Sequence, residues 1–403
     1  MLQGKNIVLG VTGSIAAYKA ADVASKLTQQ GARVDVILTP AAIEFVTPLT
    51  FRSVTGRPVT SDMFETDTEF NIEHVALAQS ADIVVVAPAS ANTIAKIAAG
   101  MADNMLCSTI LATKAPVVIA PAMNVNMWDN PITQENIDRL RRRGFVVVGP
   151  GHGWLAEGSI GQGRMVEPQV VIDTIKQVLG REGDMTGKRV VVSAGGTQEP
   201  IDPVRHIANK SSGKMGYALA EAARDRGAEV TLVAAPTALP DPTGIKVVHV
   251  CTAEEMFQAV ARAVTGCDVL LMAAAVADYR PAQVSPEKIK KGEAKLTLDL
   301  TRTRDILKSL TGDFVKVGFA AEGSDLLANA QKKLADKGLD MIVANDIKQT
   351  DGGFGSDLNC VTILERGGNA VEVPLLPKRQ VADAVLDRVV ARMDRPARKR
   401  KAA

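Results

Sequence analysis

Three glycine-bearing stretches hold the side chains of this sequence best placed to do chemistry. "GVTGSIAAYK" (10–19) carries an apolar run into a turn at Gly13 and Ser14 and then into Ala-rich helical sequence. Free N–H groups at such a helix start cradle phosphates. A tight strand–helix turn also uses glycine without any ligand, so the pattern alone leaves both readings open. No third glycine completes a dinucleotide fingerprint, and the second apolar run, "VDVILTP", reaches Thr39 with no acid at its end. A mononucleotide suits that arrangement better than a dinucleotide. "GGTQEPIDPVRHIANKSSGKMG" (195–216) is polar and holds two prolines with Arg205, Lys210 and Lys214. A loop that long inside a compact domain points to a ligand more than to a bare surface excursion. Its "SSGK" looks like the end of a phosphate-binding loop but lacks the G-x-x-x-x-G-K spacing. "GHGWLAEGSIGQGRM" (151–165) has a single carboxylate, Glu157, among its glycines. Glycines that dense let a backbone approach a ligand but do not hold themselves rigid.

The elements that must position these residues repeat. Residues 4–39 and 187–233 both run from an apolar strand through a Gly turn and an Ala-rich helix to a second strand, and "SADIVVVAPASAN" (80–92) is echoed by "GCDVLLMAAAVAD" (266–278). Short apolar runs alternating with helical stretches read as βαβ units on a parallel sheet. The expectation is an α/β protein of two parallel-sheet domains. Domains are expected at 1–183 and 184–394, with the polar "GREGDMTG" (180–187) as linker and a basic, frayed tail at 395–403. Ligands in such sheets sit beyond the carboxyl ends of the strands.

Composition narrows the function classes. Aromatics are only 3%, so the cores must be built from Ala, Val, Ile and Leu, and a net charge near +2 gives no electrostatic case for nucleic acid or membrane partners. Four scattered cysteines without a CxxC pair indicate neither a zinc site nor a disulfide framework. No apolar run approaches the ~20 residues of a membrane span and the N-terminus lacks a signal-peptide layout, so a cytoplasmic protein is expected.

Several motifs then converge on one family. "PASANT" (88–93) and "PAMNVNMW" (121–128) resemble the signatures of flavin-containing cysteine decarboxylases, which are Rossmann-like FMN proteins. "AGGTQEPIDPVRHIANKSSGKMG", "AAAVADYRP" and "PEKIKK" resemble phosphopantothenate–cysteine ligase. In this order, over nearly the whole chain, they resemble the bifunctional coenzyme A biosynthesis proteins of bacteria, decarboxylase first and ligase second. The resemblance implies that both domains are Rossmann-like and the first flavodoxin-like, with 4′-phosphopantothenate, L-cysteine and CTP as substrates, FMN as cofactor, and magnesium with CTP. It also implies a homo-oligomer, a dodecamer of decarboxylase trimers joined through ligase dimers.

Site residues follow from the same resemblance. In the first domain Gly13, Ser14 and Thr39 would hold the FMN phosphate region, with Ser90 and Asn92 near the flavin. His74 aligns with the family's active-site histidine, although a lone His before an Ala-rich helix reads as structural on its own. Asn124 would bind the substrate carboxylate, while Met127 and Trp128 read as packing residues. In the second domain Lys288 would neutralise charge at the attacked phosphoryl centre, and Asn209 would orient the acyl intermediate beside Arg205. Lys290 and Lys291 read as parts of a solvated basic loop. Met272, Ala273, Ala274 and Asp278, at the carboxyl end of a strand, would contact the nucleotide. So would Arg304, Asp305, Ile306, Leu307, Phe319, Lys333 and Lys337. One departure is Arg304 in "TRTRDIL", where the family usually has proline.

A second departure falls in the glycine-rich stretch. The family pattern there is Leu-Ala-Cys-Gly followed by Gly-x-Gly-Arg-Met, and this chain has "LAEGSIGQGRM". In the family the cysteine donates a proton during reduction of the enethiol. A free thiol titrates near ~8.5 and a Glu near ~4.3, so Glu157 serves as donor at neutral pH only if burial raises it strongly. Three outcomes stand: a working acid, a decarboxylase that stops at the enethiol, or a residue changed to block turnover. A flavin-binding regulatory module without catalysis is disfavoured by the retained His74, Asn124, Asn209 and Lys288.

Overall fold

The computed structural model describes residues 1–63, 73–290, 296–322, 326–346, 355–368 and 370–393; Lys291 and the tail 395–403 lie outside the described residues. The chain divides into two compact units, Met1–Leu179 and Gly180–Ala403.

The first unit is built on β1 (Asn6–Val11), β2 (Arg33–Leu38), β3 (Val59–Thr60), β4 (Ile83–Ala89), β5 (Val117–Pro121) and β6 (Val146–Val147). These strands form one sheet in the order β3-β2-β1-β4-β5-β6, and every neighbouring pair is parallel. Without the two-residue edge strand β3, this is the flavodoxin-like order, in which the first strand lies between the second and the next in sequence. The continuous apolar runs are explained by helices covering both faces: all residues of β4 are buried, and β1 is buried from Ile7 onward. Ile7, Leu9, Val85 and Val118 face one helical layer, and Val8, Val84, Val86 and Ile119 face the other. An antiparallel hairpin, β7 (Gly151–Trp154) and β8 (Ile160–Arg164), follows β6.

The second unit repeats the plan on β9 (Arg189–Ala194), β10 (Gln198–Pro200), β11 (His206–Ala208), β12 (Glu229–Ala234), β13 (Lys246–His249), β14 (Val269–Met272), β15 (Tyr279–Pro281), β16 (Leu300–Arg302), β17 (Val315–Glu322), β18 (Met341–Asp346), β19 (Leu358–Glu365) and β20 (Ala370–Pro377). Its main sheet runs β13-β12-β9-β14-β17-β18-β19-β20. Pairing is parallel as far as β18 and antiparallel through β19 and β20. The strand order reverses between β9 and β14, as it does between β1 and β4, and such switch points open a crevice at the carboxyl edge.

Two stretches differ from the sequence reading. Residues 195–216 are not one long loop, because β10 and β11 pair within them. The glycine-rich 151–165 is an ordered hairpin whose tip is closed by Leu155 N–H to Ser159 O at 2.9 Å and Gly158 N–H to Leu155 O at 2.9 Å. Among the described residues no helix is long and apolar enough to cross a membrane.

Candidate functional site

In the first unit the turn after β1 is held by a residue that motif reading passed over. Thr12 is fully buried; its hydroxyl donates to Pro88 O at 2.8 Å and accepts the Ser90 N–H at 2.8 Å. It thereby locks the ends of β1 and β4 together at the switch point. A Cβ on Gly13 would lie 2.6 Å from Ala41 Cβ, so the turn presses against the segment that follows Thr39. Thr39 N–H donates to Val11 O at 3.0 Å, which brings Thr39 to the same turn. Its side chain is only 8% exposed, and Oγ1 is a buried polar atom with no hydrogen-bond partner. Buried hydroxyls are nearly always satisfied, so an orphan beside a glycine turn and a helix start fits a polar or anionic group bound there.

The other predicted residues lie along the same edge. Ser90 Oγ caps the helix Ala91–Ala99 by accepting the Thr93 N–H at 3.3 Å, and Asn92 is exposed in its first turn. Ala122 N–H donates to Ala89 O at 3.0 Å, joining "PAMN" to "PASAN". Asn124 caps the short helix Val125–Asp129 through Oδ1, 2.8 Å from Asn126 N. His74 is half-buried at the start of the helix Glu73–Ser80, and among the described residues no hydrogen bond links it to the others. Trp128 is buried in the core while Met127 is exposed, and burial raises the Cys107 thiol, which lies in the core.

The hairpin closes over this edge, and its glycines have a spatial reason. Gly163 O accepts the Met123 N–H at 2.9 Å, and a Cβ on Gly163 would lie 2.3 Å from Met123 O. At Gly161 a Cβ would lie 2.6 Å from Val125 Cγ2. Gly-x-Gly is therefore what lets β8 lie against the backbone that carries Asn124. Below it, buried Lys19 donates to Met165 O and Glu167 Oε1, both at 3.1 Å, and so ties the hairpin base to the helix Ala17–Gln29.

Glu157 sits at the hairpin tip and touches the site directly. Its Oε1 accepts the side-chain N–H of Asn124 and the Ser159 hydroxyl at 3.1 Å. Its own backbone N–H, then Asn124 and Ser159, outweigh burial and hold the carboxyl below the ordinary Glu range. That shift is opposite in sign to the one a proton donor at neutral pH requires. Burial pulls the other way but does not prevail, because the side chain stands at an exposed tip.

In the second unit two buried hydroxyls arrange the crevice. Ser193 Oγ accepts the Ala274 N–H at 3.1 Å and Thr197 Oγ1 accepts the Ala277 N–H at 2.9 Å. Gly195 O accepts the Ala275 N–H at 2.8 Å, so residues 273–278 run beside the turn after β9. Asn209 reaches the same strand end, donating to Val276 O at 3.1 Å. Met272 is buried as the last residue of β14, Ala273 and Ala274 are half-buried, and Asp278 is exposed with its carbonyl accepting the Thr303 N–H at 3.0 Å. Phe319 is half-buried in β17, next to Gly318, which pairs with Met272.

The remaining predicted nucleotide residues partly engage each other. Asp305 caps the helix Ile306–Ser309, 3.1 Å from Lys308 N, and its Oδ2 lies 3.0 Å from Lys337 Nζ. Ile306 is buried, and it packs with the half-buried Leu307 in the core. Arg304 stacks 4.2 Å above the Phe257 ring and lies 4.0 Å from Glu254, a stacking role that proline cannot perform. Lys333 is exposed on the helix Leu326–Asp336.

Around Lys288 the structure adds a residue that motif reading missed. Lys288 and Lys290 are exposed, but Ile289 between them is gripped at both backbone groups. Its N–H donates to Asp202 Oδ2 at 3.1 Å, and its carbonyl accepts from Arg205 Nη2 at 2.7 Å. Asp202, whose side chain is fully buried, also accepts the N–H groups of Val204 (2.9 Å) and Arg205 (2.8 Å) and the Arg205 guanidinium at 2.9 and 2.5 Å. Burial opposes its charge, but Arg205 and three backbone N–H groups prevail and hold the carboxyl far below its ordinary range. Arg205, expected at the substrate, thus commits Nε and Nη2 to this cluster. Among the described residues no group of three or more His, Cys, Asp or Glu is arranged to hold a metal ion.

Comparison with known proteins gives each unit a family. Residues 1–180 match the Flavoprotein family, and residues 185–393 match the DNA/pantothenate metabolism flavoprotein C-terminal domain. The chain is 45% identical over 97% of its length to the coenzyme A biosynthesis bifunctional protein CoaBC of Bacillus subtilis, covering 98% of that protein. It is 45% identical over 96% of its length to the protein of that name from Vibrio cholerae, again covering 98% of it. The Escherichia coli protein of that name is 42% identical over 98% of each chain.

Proposed function

Because this chain belongs to the family of bifunctional coenzyme A biosynthesis proteins, we propose that it ligates 4′-phosphopantothenate to L-cysteine using CTP and then decarboxylates the product to 4′-phosphopantetheine with FMN. The observation that carries this reading is that each unit gathers its candidate residues at the carboxyl edge of one switch point: Gly13, Thr39, Ser90 and Asn124 in the first, and Asn209, Ala274 and Asp278 in the second. The orphaned Thr39 hydroxyl is what a flavin phosphate or ribityl group would satisfy.

In the ligase half the substrate carboxylate attacks the α-phosphorus of CTP. An acyl–O–P bond forms, the Pα–O bond to the β-phosphate breaks, and pyrophosphate leaves with the electron pair. The cysteine amine then attacks the acyl carbon and loses a proton, and CMP leaves. Lys288 neutralises the charge that builds at the α-phosphoryl group as pyrophosphate leaves. Asn209 orients the acyl intermediate. The backbone of residues 273–275, fixed by Ser193 and Gly195, lines the nucleotide. Magnesium, arriving with CTP, would take most of its ligands from the triphosphate.

In the decarboxylase half, flavin supplies a reversible two-electron oxidation that gives the departing carboxylate an electron sink. Gly13, Ser14 and the Thr39 hydroxyl hold its phosphate end, and Ser90 and Asn92 border it. His74, the family's active-site histidine by resemblance, would take the proton that leaves the substrate thiol. Asn124 binds the substrate carboxylate through its amide, the same group that donates to Glu157. The β7–β8 hairpin shields the site from water. The same reading carries trimers of the first unit joined through dimers of the second, in the cytoplasm. Lys288→Gln tests the assignment: acyl-cytidylate formation should be lost while flavin stays bound. Unchanged CTP-dependent ligation in that variant would refute it.

A further inference from the structure

Lys288 lies in a polar, solvent-exposed segment that has no secondary structure of its own to orient it. A lysine has four rotatable side-chain bonds, and on a free loop its backbone would add more. A catalytic ammonium placed that way meets its phosphoryl group only a small fraction of the time. Yet the residue beside it is fixed at both ends. Ile289 N–H and C=O are held by Asp202 and Arg205, from a turn more than eighty positions earlier in the chain. Ser285 N–H donates to Ile201 O at 3.0 Å, which fastens the same two segments a second time.

Asp202 is built as an anchor. Its side chain is fully buried and accepts from Val204, Arg205 and Ile289, so its lone pairs are saturated by groups of the protein itself. None is left for a metal, a substrate or a proton transfer. A fully paired buried carboxylate with no capacity for chemistry, joined to the backbone next to an exposed lysine, is explained by placement of that lysine. We propose that Asp202 and Arg205 are positioning residues for the ligase reaction: they clamp Ile289 so that the Lys288 ammonium stands over the crevice edge formed by residues 273–278. The clamp rests on the role assigned to Lys288 above.

Its test separates the two half-reactions in the full-length protein. Pyrophosphate release from CTP and phosphopantothenate reports acyl-cytidylate formation. Transfer of the preformed acyl-cytidylate to cysteine reports the second step. Asp202→Asn, which keeps an acceptor but loses the charge, should lower the turnover of the first step at least tenfold. KM for CTP should change less than about threefold, and the second step should be little affected. Amide hydrogen exchange at Ile289, slow in the parent, should accelerate by a similar factor. Because a buried change can disturb folding, Arg205→Lys is the companion variant: its side chain is 42% exposed, and it keeps the charge while losing the fork that grips the Ile289 carbonyl. It should show a smaller loss of the same first-step kind. Equal loss of both half-reactions, or unchanged first-step turnover in both variants, overturns the clamp while Lys288→Gln stays inactive. If Lys288→Gln instead retains full first-step turnover, the assignment of Lys288 fails and the clamp's role falls with it.

Discussion

Replacing Glu157 by cysteine should speed the last step of the decarboxylase half. At pH 7 an ordinary Glu carboxyl, titrating near ~4.3, is protonated in about one molecule in 500, whereas a thiol near ~8.5 is protonated in roughly 97%. The structure moves Glu157 further in the unhelpful direction. Its own backbone N–H, the Asn124 amide and the Ser159 hydroxyl all favour the ionised form, at an exposed hairpin tip. If proton donation from position 157 limits reduction of the enethiol, Glu157→Cys raises the competent fraction by a factor on the order of 500. The sign with pH follows. A carboxyl lowered in the folded protein is protonated only below its depressed value, so reduction through Glu157 should gain about tenfold for each unit the pH drops from 8 toward 5. The assay is rapid quench of 4′-phosphopantothenoylcysteine turnover with mass spectrometry. The parent should accumulate a species two mass units lighter than phosphopantetheine before the saturated product appears, and Glu157→Cys should shorten that lag. A parent with no lag, or a lag that neither pH nor Glu157→Cys changes, refutes the reasoning.

Other outcomes follow from single contacts. Thr39→Val removes a buried hydroxyl that has no partner, so the flavin-free protein should melt no lower than the parent while flavin affinity falls about tenfold or more, read by fluorescence titration. Gly163→Ala would put a methyl group 2.3 Å from the Met123 carbonyl oxygen. The hairpin must then lift off "PAMN", and decarboxylation should fall at least tenfold while CTP-dependent ligation is unchanged, each measured separately. Asn124→Asp would place two carboxylates together at the Glu157 contact. KM for the decarboxylase substrate should then rise severalfold, and Glu157→Gln in the same chain should restore part of the loss.

Much of the architecture was legible because βα units announce themselves locally. Apolar runs such as "IVVVAPA" have to be buried on both faces, and the echo of residues 4–39 in 187–233 implies two similar sheets. The glycine turns at Gly13 and Gly195 could be assigned to strand ends for the same reason. What escaped was set by contacts between residues far apart in sequence. Thr12 reads as an ordinary turn threonine until Pro88 and Ser90 meet it. Asp202, three residues before Arg205 in "EPIDPVR", carries a faint signal of a local carboxylate–guanidinium pair, but nothing in the motif says that both reach Ile289. The glycines of "GSIGQGRM" suggested flexibility; they are instead the positions where a side chain would collide with the Met123–Val125 segment. Glu157 was recognisable as the altered position, but nothing in the motif shows its contact with Asn124, 33 residues away.

The central claim is that one chain performs both ligation and decarboxylation. The most direct test supplies the flavin-loaded protein with 4′-phosphopantothenate, L-cysteine, CTP and magnesium, and follows all products by mass spectrometry. The account predicts one CMP, one pyrophosphate and one carbon dioxide for each 4′-phosphopantetheine formed, with 4′-phosphopantothenoylcysteine appearing only in passing. Accumulation of 4′-phosphopantothenoylcysteine as the final product, or phosphopantetheine formed without CTP consumption, would contradict it.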